Sequence, residues 1–312
     1  MSGNTAPPGF KSLYGSLVVT DPTEPSFDHD LVWMVDDWLL ARDGSLVEDF
    51  NAMHEVTHNG RWGNVVTVNG VVAPDVAVAP GDRIRLRIVN ASNARVIAPE
   101  FEGVEPTGFA VDGMLARRAF DGDAFVLAPG NRIDVVFTMP DTAVSVSDNF
   151  NGEGFELATL QPELDPTANR ERVAAAPVNA AVPEAEAFAG FGIDHTYSLD
   201  FVSDGMAPGW GFNGRTFDEA ETLSVESGSV AVIRLVNDSQ ALHPIHFHGQ
   251  FFIVTAIDGQ PIDEGYLRDT VLAMPGQTID LALHASDEGT WAVLCHIQDH
   301  AEAGMMTLLE VA

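Results

Sequence analysis

The chain repeats itself, and a repeat of domain length fixes what it can fold into. Val68-Asn69-Gly70 leads to the run Gly81-Asp82-Arg83-Ile84-Arg85-Leu86-Arg87-Ile88-Val89-Asn90-Ala91-Ser92. Phe212-Asn213-Gly214 leads to Gly228-Ser229-Val230-Ala231-Val232-Ile233-Arg234-Leu235-Val236-Asn237-Asp238-Ser239. Further on, Pro129-Gly130-Asn131-Arg132-Ile133-Asp134 is answered by Pro275-Gly276-Gln277-Thr278-Ile279-Asp280. The offsets are 144, 147 and 146 residues, in one order. Within the runs apolar residues alternate: Ile84, Leu86 and Ile88 face one way, Arg83, Arg85 and Arg87 the other. That period of two belongs to a half-buried strand. Gly and Pro clusters separate many such short runs, and long helical periodicity is scarce. Each copy therefore reads as an antiparallel β-sandwich or Greek-key barrel of about 120–145 residues, and the chain as all-β with two such units in tandem.

The second copy ends in Gly304-Met305-Met306-Thr307-Leu308-Leu309-Glu310-Val311. One repeat length back lies Phe155-Glu156-Leu157-Ala158-Thr159-Leu160, and another reaches Leu13-Tyr14-Gly15-Ser16-Leu17-Val18-Val19. Residues 1–25 thus read as the orphan closing strand and connector of a third, earlier copy whose body is absent; the competing reading is a short strand native to the first unit. Residues 26–160 form the first copy and 188–312 the second. Residues 161–187, rich in Pro, Ala and Glu and without strand alternation, read as the linker.

The formal net charge of −31 argues against nucleic acid and anionic membrane surfaces as partners. It reads as a solvated acidic surface, of the kind a saline habitat favours, rather than a docking face. No run approaches the roughly 18 apolar residues of a membrane-spanning helix. Met1-Ser2-Gly3-Asn4 opens no signal-peptide pattern.

The chemistry sits near the C-terminus. Cys295 is the only cysteine, so it belongs to no disulfide within the chain. It stands in Leu294-Cys295-His296-Ile297-Gln298-Asp299-His300, with Met305 shortly after, and a second cluster lies upstream in His243-Pro244-Ile245-His246-Phe247-His248-Gly249. One thiolate, two imidazoles and a weak thioether are what a blue-copper site needs: a trigonal His₂Cys set completed by a long axial Met. Cys295, His300, His243 and Met305 are the candidate ligands of one copper. Leu242, Ile245 and Leu294 lie near them, and apolar surroundings exclude water and raise a site's potential. The first copy has Asn93-Ala94-Arg95-Val96-Ile97 in place of the His cluster, and neither Cys nor His from Asn149 to Leu160. The repeat thus pairs one metal domain with one scaffold domain. Cys295 and His296 do not suit a nucleophilic Cys–His pair, because adjacent strand residues point apart. A structural zinc site takes four ligands from Cys and His, and the nearby methionine suits copper better.

These motifs resemble those of the multicopper oxidases, the laccase-like family, whose last domain carries His-Pro-x-His-x-His-Gly and then His-Cys-His-x-x-x-His-x-x-x-x-Met. The resemblance extends over Trp38, Asn69-Gly70, Arg268-Asp269-Thr270 and Gly289-Thr290-Trp291. It covers nearly the whole chain as the second and third cupredoxin domains of a three-domain member. It implies two cupredoxin-like Greek-key domains and an oxidoreductase that takes single electrons from a reducing substrate at a type 1 copper. A trinuclear cluster in such enzymes reduces dioxygen to water. Carried over by position, His243, Cys295, His300 and Met305 fall on the type 1 ligands, and His246, His248 and His296 on cluster ligands. Cys295 and His296 then carry the electron transfer. A periplasmic or secreted location and a small-molecule or protein electron donor are further implications. A copper nitrite reductase also has two cupredoxin domains, but its type 1 cysteine would be expected in the first.

Two departures bear on the cluster. The family's first domain supplies two further His-x-His pairs, and none exists here outside residues 246–248; His29, His54, His58, His195 and His284 are isolated and read as surface or loop histidines. Leu294 stands where the family has histidine, on the strand face shared with His296. One type 1 copper is expected, with an incomplete cluster. Three functions follow: the substrate-oxidising portion of a laccase-like oxidase, a mononuclear blue-copper electron-transfer or copper-binding protein, or a scaffold that lost the redox role. The intact type 1 set weighs against the third. No methionine-rich segment marks a cuprous oxidase, so phenols, amines or a protein donor remain as reductants. The orphan strand predicts a homo-oligomer, or a complex with a chain that carries the first domain.

Overall fold

The computed structural model describes residues 13–22, 24–121, 126–152, 154–163, 179–203 and 208–312. The first unit contains β1 (His29–Trp38), β2 (Val65–Val68), β3 (Asp75–Val78), β4 (Arg83–Asn90), β5 (Pro99–Glu102), β6 (Thr107–Val111), β7 (Met114–Asp121), β8 (Arg132–Thr138), β9 (Val144–Asp148) and β10 (Phe155–Pro162), with a short helix α1 (Met53–Thr57) between β1 and β2. The second contains β11 (His195–Ser203), β12 (Pro208–Phe212), β13 (Leu223–Val225), β14 (Val230–Asn237), β15 (His243–Phe247), β16 (Phe252–Ile257), β17 (Gln260–Pro261), β18 (Thr270–Ala273), β19 (Thr278–His284), β20 (Gly289–Cys295) and β21 (Met306–Val311), with helix α2 (Gln298–Glu302) before the last strand.

The sequence repeat is a repeat in space. One sheet of the first unit runs β2-β1-β4-β8-β6-β7, and its counterpart runs β12-β11-β14-β19-β16-β17. The other sheets run β3-β10-β9-β5 and β13-β21-β20-β15-β18. Strands β1 and β4 are parallel, as are β11 and β14. The crossovers that bring these pairs together give each unit the Greek-key character of a cupredoxin-like sandwich.

The matched runs occupy the same place in both units because their apolar residues do the same work. Ile84, Leu86 and Ile88 on β4 lie in the core with Val135 and Phe137 of β8. Ala231, Ile233 and Leu235 on β14 face Ile279, Leu281 and Leu283 of β19. The second core also takes in Ala94, Val96 and Ala128 of the first unit. Apolar packing therefore runs across the junction between the units, beside the Cys295 strand.

Three expectations need correction. Arg85, placed on the outer face of a half-buried strand, is 4% exposed. The chain before β1 covers that face: Arg85 pairs with Asp134 and with Glu24, and its guanidinium lies 4.9 Å from the Phe109 ring centroid. The segment Leu13–Val19, expected to be a strand, belongs to no sheet and stands largely exposed, Leu17 at 90%. Among the described residues no strand pairs with it, and the Tyr14 hydroxyl donates to Asp36 Oδ2 at 2.7 Å. Strand β10 continues through Gln161 and Pro162, where a linker was expected to begin, because it pairs in parallel with β3 to its last residue. The middle of that linker, 164–178, lies outside the described residues, as do 1–12 of the N-terminal segment. Among the described residues no helix is long and apolar enough to cross a membrane.

Candidate metal centre

Strand register decides which side chains can meet. Strand β15 pairs with β20 so that Ile245 lies opposite Cys295, and His246 opposite Leu294. Alternation then puts His243, Ile245, Phe247 and Cys295 on the core face, and His246, His248, Leu294 and His296 on the other. After β20 the chain turns through α2, which brings His300 back beside the cysteine. His243, Cys295 and His300 are all fully buried, and their ligand atoms lie within 4.8 Å of one another. Sγ of Cys295 is 3.7 Å from His243 Nδ1 and 3.6 Å from His300 Nδ1. Met305 is fully buried too. Its carbonyl accepts the Cys295 N–H and its own N–H donates to the His300 carbonyl, both at 3.0 Å, so both sulfur residues and His300 belong to one closed loop.

The hydrogen bonds fix which nitrogen of each imidazole is free. His300 Nε2 lies 2.7 Å from the His58 carbonyl oxygen, which can only accept. The proton is therefore on Nε2, and the Nδ1 lone pair faces the sulfur. His243 Nε2 lies 2.9 Å from Ser239 Oγ. That hydroxyl donates its one proton to Asn237 Oδ1 at 2.7 Å, so it accepts from His243 and leaves Nδ1 free again. Asn237 is itself oriented by donating to the Ala241 and Ala273 carbonyls. The first unit repeats this clasp in Asn90, which donates to the Arg95 and Leu127 carbonyls, and in Ser92, which donates to Asn90 Oδ1. The Asn-x-Ser clasp is thus part of the fold, and the second unit recruits its serine to hold the His243 imidazole. The repeated Asn-x-Ser was the signal for it in the sequence; Ser239 was not read as part of the site.

Burial sets the protonation. It pushes the Cys295 thiol up, so the metal-free site holds a thiol. It pushes His300 down to about 3, and His243 well down with help from the neighbouring His300. Trp210 closes the outer side, its ring 4.7 Å from the His243 ring and 4.4 Å from that of His300. Two neutral imidazoles with inward lone pairs, a buried thiol and a buried thioether in the same loop fit a copper of the type 1 class.

The histidines at the cluster positions are brought to the opposite face, more loosely. The His246 ring lies 4.8 Å from that of His248 and 5.6 Å from that of His296. His246 Nδ1 donates to the Asp269 carbonyl at 3.1 Å and to Thr270 Oγ1 at 2.9 Å, with the Asp269 carboxylate 3.3 Å away. Asp269 is pinned by Arg132 of the first unit through paired bonds of 2.9 and 2.7 Å. His296 packs on Gly130 of the first unit so closely that a Cβ there would sit 2.7 Å from its ring. Its Nδ1 is buried without a partner, and burial holds it down to about 4. Leu294 lies directly across from His246, on this face. Of the isolated histidines, His29 pairs with Asp82 at 3.0 Å, and the His54, His58 and His284 side chains are exposed. The His58 carbonyl is nevertheless a contact of the candidate centre, which no side-chain reading could show.

Residues 29–150 and 193–312 both match the sequence profiles of the multicopper oxidases. The chain belongs to the multicopper oxidase family. It is 27% identical to the multicopper oxidase MmcO of Mycobacterium tuberculosis over 97% of this chain and 66% of that protein. It is 28% identical to a laccase of Haloferax volcanii over 95% of this chain and 55% of that protein. A multi-copper oxidase from Pseudomonas thermotolerans superposes with a TM-score of 0.78 at 25% identity, covering 92% of this chain and 69% of that one. The chain spans about two thirds of the length of the first curated relatives it matches.

Proposed function

We propose that this chain is a copper oxidoreductase in which His243, Cys295, His300 and Met305 hold one copper that takes single electrons from a reducing donor. Bound there, copper would supply a one-electron acceptor at the junction of the two units. The observation that carries this reading is the convergence of two imidazole lone pairs on one buried thiol, with the opposite nitrogen of each ring hydrogen-bonded outward. The protein's own share is to keep both rings neutral, to exclude water with Trp210, Leu242 and Ile245, and to hold Ser239 and the His58 carbonyl against the ring protons. Cys295 and His296 are bonded neighbours on opposite strand faces, so the peptide between them links the thiol to the histidine face beside His246.

Leu294 favours a second reading. It puts an apolar side chain opposite His246, and leucine cannot bind copper. A mononuclear electron-transfer protein without dioxygen chemistry would tolerate it, whereas a trinuclear cluster would lack a ligand at that position. Anaerobic titration of the copper-loaded chain with a phenolic or aromatic amine donor, followed by oxygen-electrode measurement, tests both readings. One electron taken per chain and no four-electron oxygen uptake is the expected result. Brisk oxygen uptake would show a complete cluster, and a centre that no donor reduces would refute the redox role.

A further inference from the structure

One short segment of the metal-free unit makes polar contacts with the candidate centre. After α1 the chain runs His58-Asn59-Gly60-Arg61, and each of the four makes a contact with the metal-bearing loops or depends on one. The His58 carbonyl accepts the His300 Nε2 proton at 2.7 Å. Asn59 Oδ1 accepts the N–H of Leu242, the residue before His243, at 2.9 Å. Gly60 (φ +75°) passes so close to Ala94 and Ile297 that a Cβ would sit 2.5 Å from both. The Arg61 N–H donates to Asp299 Oδ2, beside His300, at 2.8 Å. The Arg61 side chain is buried on Glu55 at 2.8 Å, and the Val56 carbonyl accepts from the indole of Trp210, the ring that covers both histidines. Consecutive residues of the scaffold unit thus grip both ligand loops.

We infer that residues 56–61 are a positioning strap for the copper centre: the His58 carbonyl keeps the His300 proton on Nε2, and Asn59 clips the loop that carries His243. The inference rests on the copper reading for its consequence, though not for its geometry. A carbonyl on the distal N–H makes a ligating imidazole a better donor and fixes its tautomer, and loss of such outer partners typically costs about 10–100-fold in metal affinity. A better donor favours the oxidised metal, so the strap holds the copper potential down against the apolar surroundings that raise it. The scaffold copy would then be retained because it tunes the other copy's metal.

The test compares Asn59→Ala, Asn59→Asp and Gly60→Ala with the wild type. Asn59→Asp keeps the acceptor for Leu242; Gly60→Ala forces the strap away from Ile297. Long-range ¹H–¹⁵N NMR of the metal-free chain reads the His300 tautomer, and competition titration with voltammetry reads copper affinity and potential. In the wild type and Asn59→Asp, His300 should carry its proton on Nε2. In Asn59→Ala and Gly60→Ala the tautomers should mix and Cu(II) affinity should fall about 10–100-fold. The potential should rise by about 59 mV for each tenfold loss confined to Cu(II). Should Gly60→Ala fail to fold, the Asn59 pair decides alone. Wild-type tautomer, affinity and potential in Asn59→Ala would overturn the inference, even if melting temperature fell. A wild type that binds copper without thiolate colour would refute the copper reading, while the tautomer still reports on the strap.

Discussion

The candidate centre is set by protonation as much as by position. Burial holds Cys295 as a thiol and His300 neutral down to about 3, with His243 shifted the same way. Copper must therefore displace one proton, from the cysteine, and none from the imidazoles above about pH 5. Thiolate is disfavoured throughout that range, so affinity should climb about tenfold per pH unit between about pH 5 and 8. No inflection should mark the ordinary histidine range near 6.5, because imidazoles with lowered pKa values do not compete through protonation there. Competition titration at several pH values checks this; a steeper slope below about 6.5 would mean that a ligand histidine is protonated in the metal-free site. Two side chains separate donor from support. Met305→Leu should keep the thiolate colour and raise the potential, since it removes only the weak axial donor. Ser239→Ala should leave the colour and cost about 10–100-fold in copper affinity, because the His243 ring proton loses its acceptor.

At the scale of the strand, alternation was legible where one face meets a core and misleading where both faces are covered. His243, Ile245 and Phe247 against His246 and His248 could be sorted from sequence, and the register of β15 on β20 sets Leu294 opposite His246. Arg85 could not be sorted, because its burial depends on Glu24, far away in sequence. The ion pairs of β4 and β14 should therefore differ in worth. Arg85→Ala would leave Asp134 buried with its main partner gone, and should cost about 3–5 kcal/mol. Arg234, paired with Asp280 on the equivalent strand, is half-exposed, and its replacement by alanine should cost about 1 kcal/mol or less. Urea unfolding of the two variants measures the difference; equal losses would contradict the burial argument. The strap around His58 was illegible for a related reason. It acts through a backbone carbonyl, and the side-chain pattern of that segment, with His54 and His58 exposed, points only to a surface loop.

For the whole molecule, the repeat made both the fold class and the location of the candidate metal centre readable, because of two units with one topology only the second carries the cysteine and the clustered histidines. It could not show that the units share a core, which depends on Ala94, Val96 and Ala128 packing against the second sheet. We propose that Leu13, Leu17 and Val19, all largely exposed, lie at or near a contact with a second copy or with a chain that carries a further domain. Light scattering of the full chain and of one lacking residues 1–20 separates the cases: the full chain should exceed 33.4 kDa and the shortened one should not. A full chain already monomeric at micromolar concentration would contradict the contact. A single thiolate-bound copper at the junction of the units is tested most directly by the visible and paramagnetic spectra of the Cu(II)-loaded chain. The wild type should be intensely blue with one copper per chain, and Cys295→Ser should be colourless; a colourless wild type with copper bound would contradict the account.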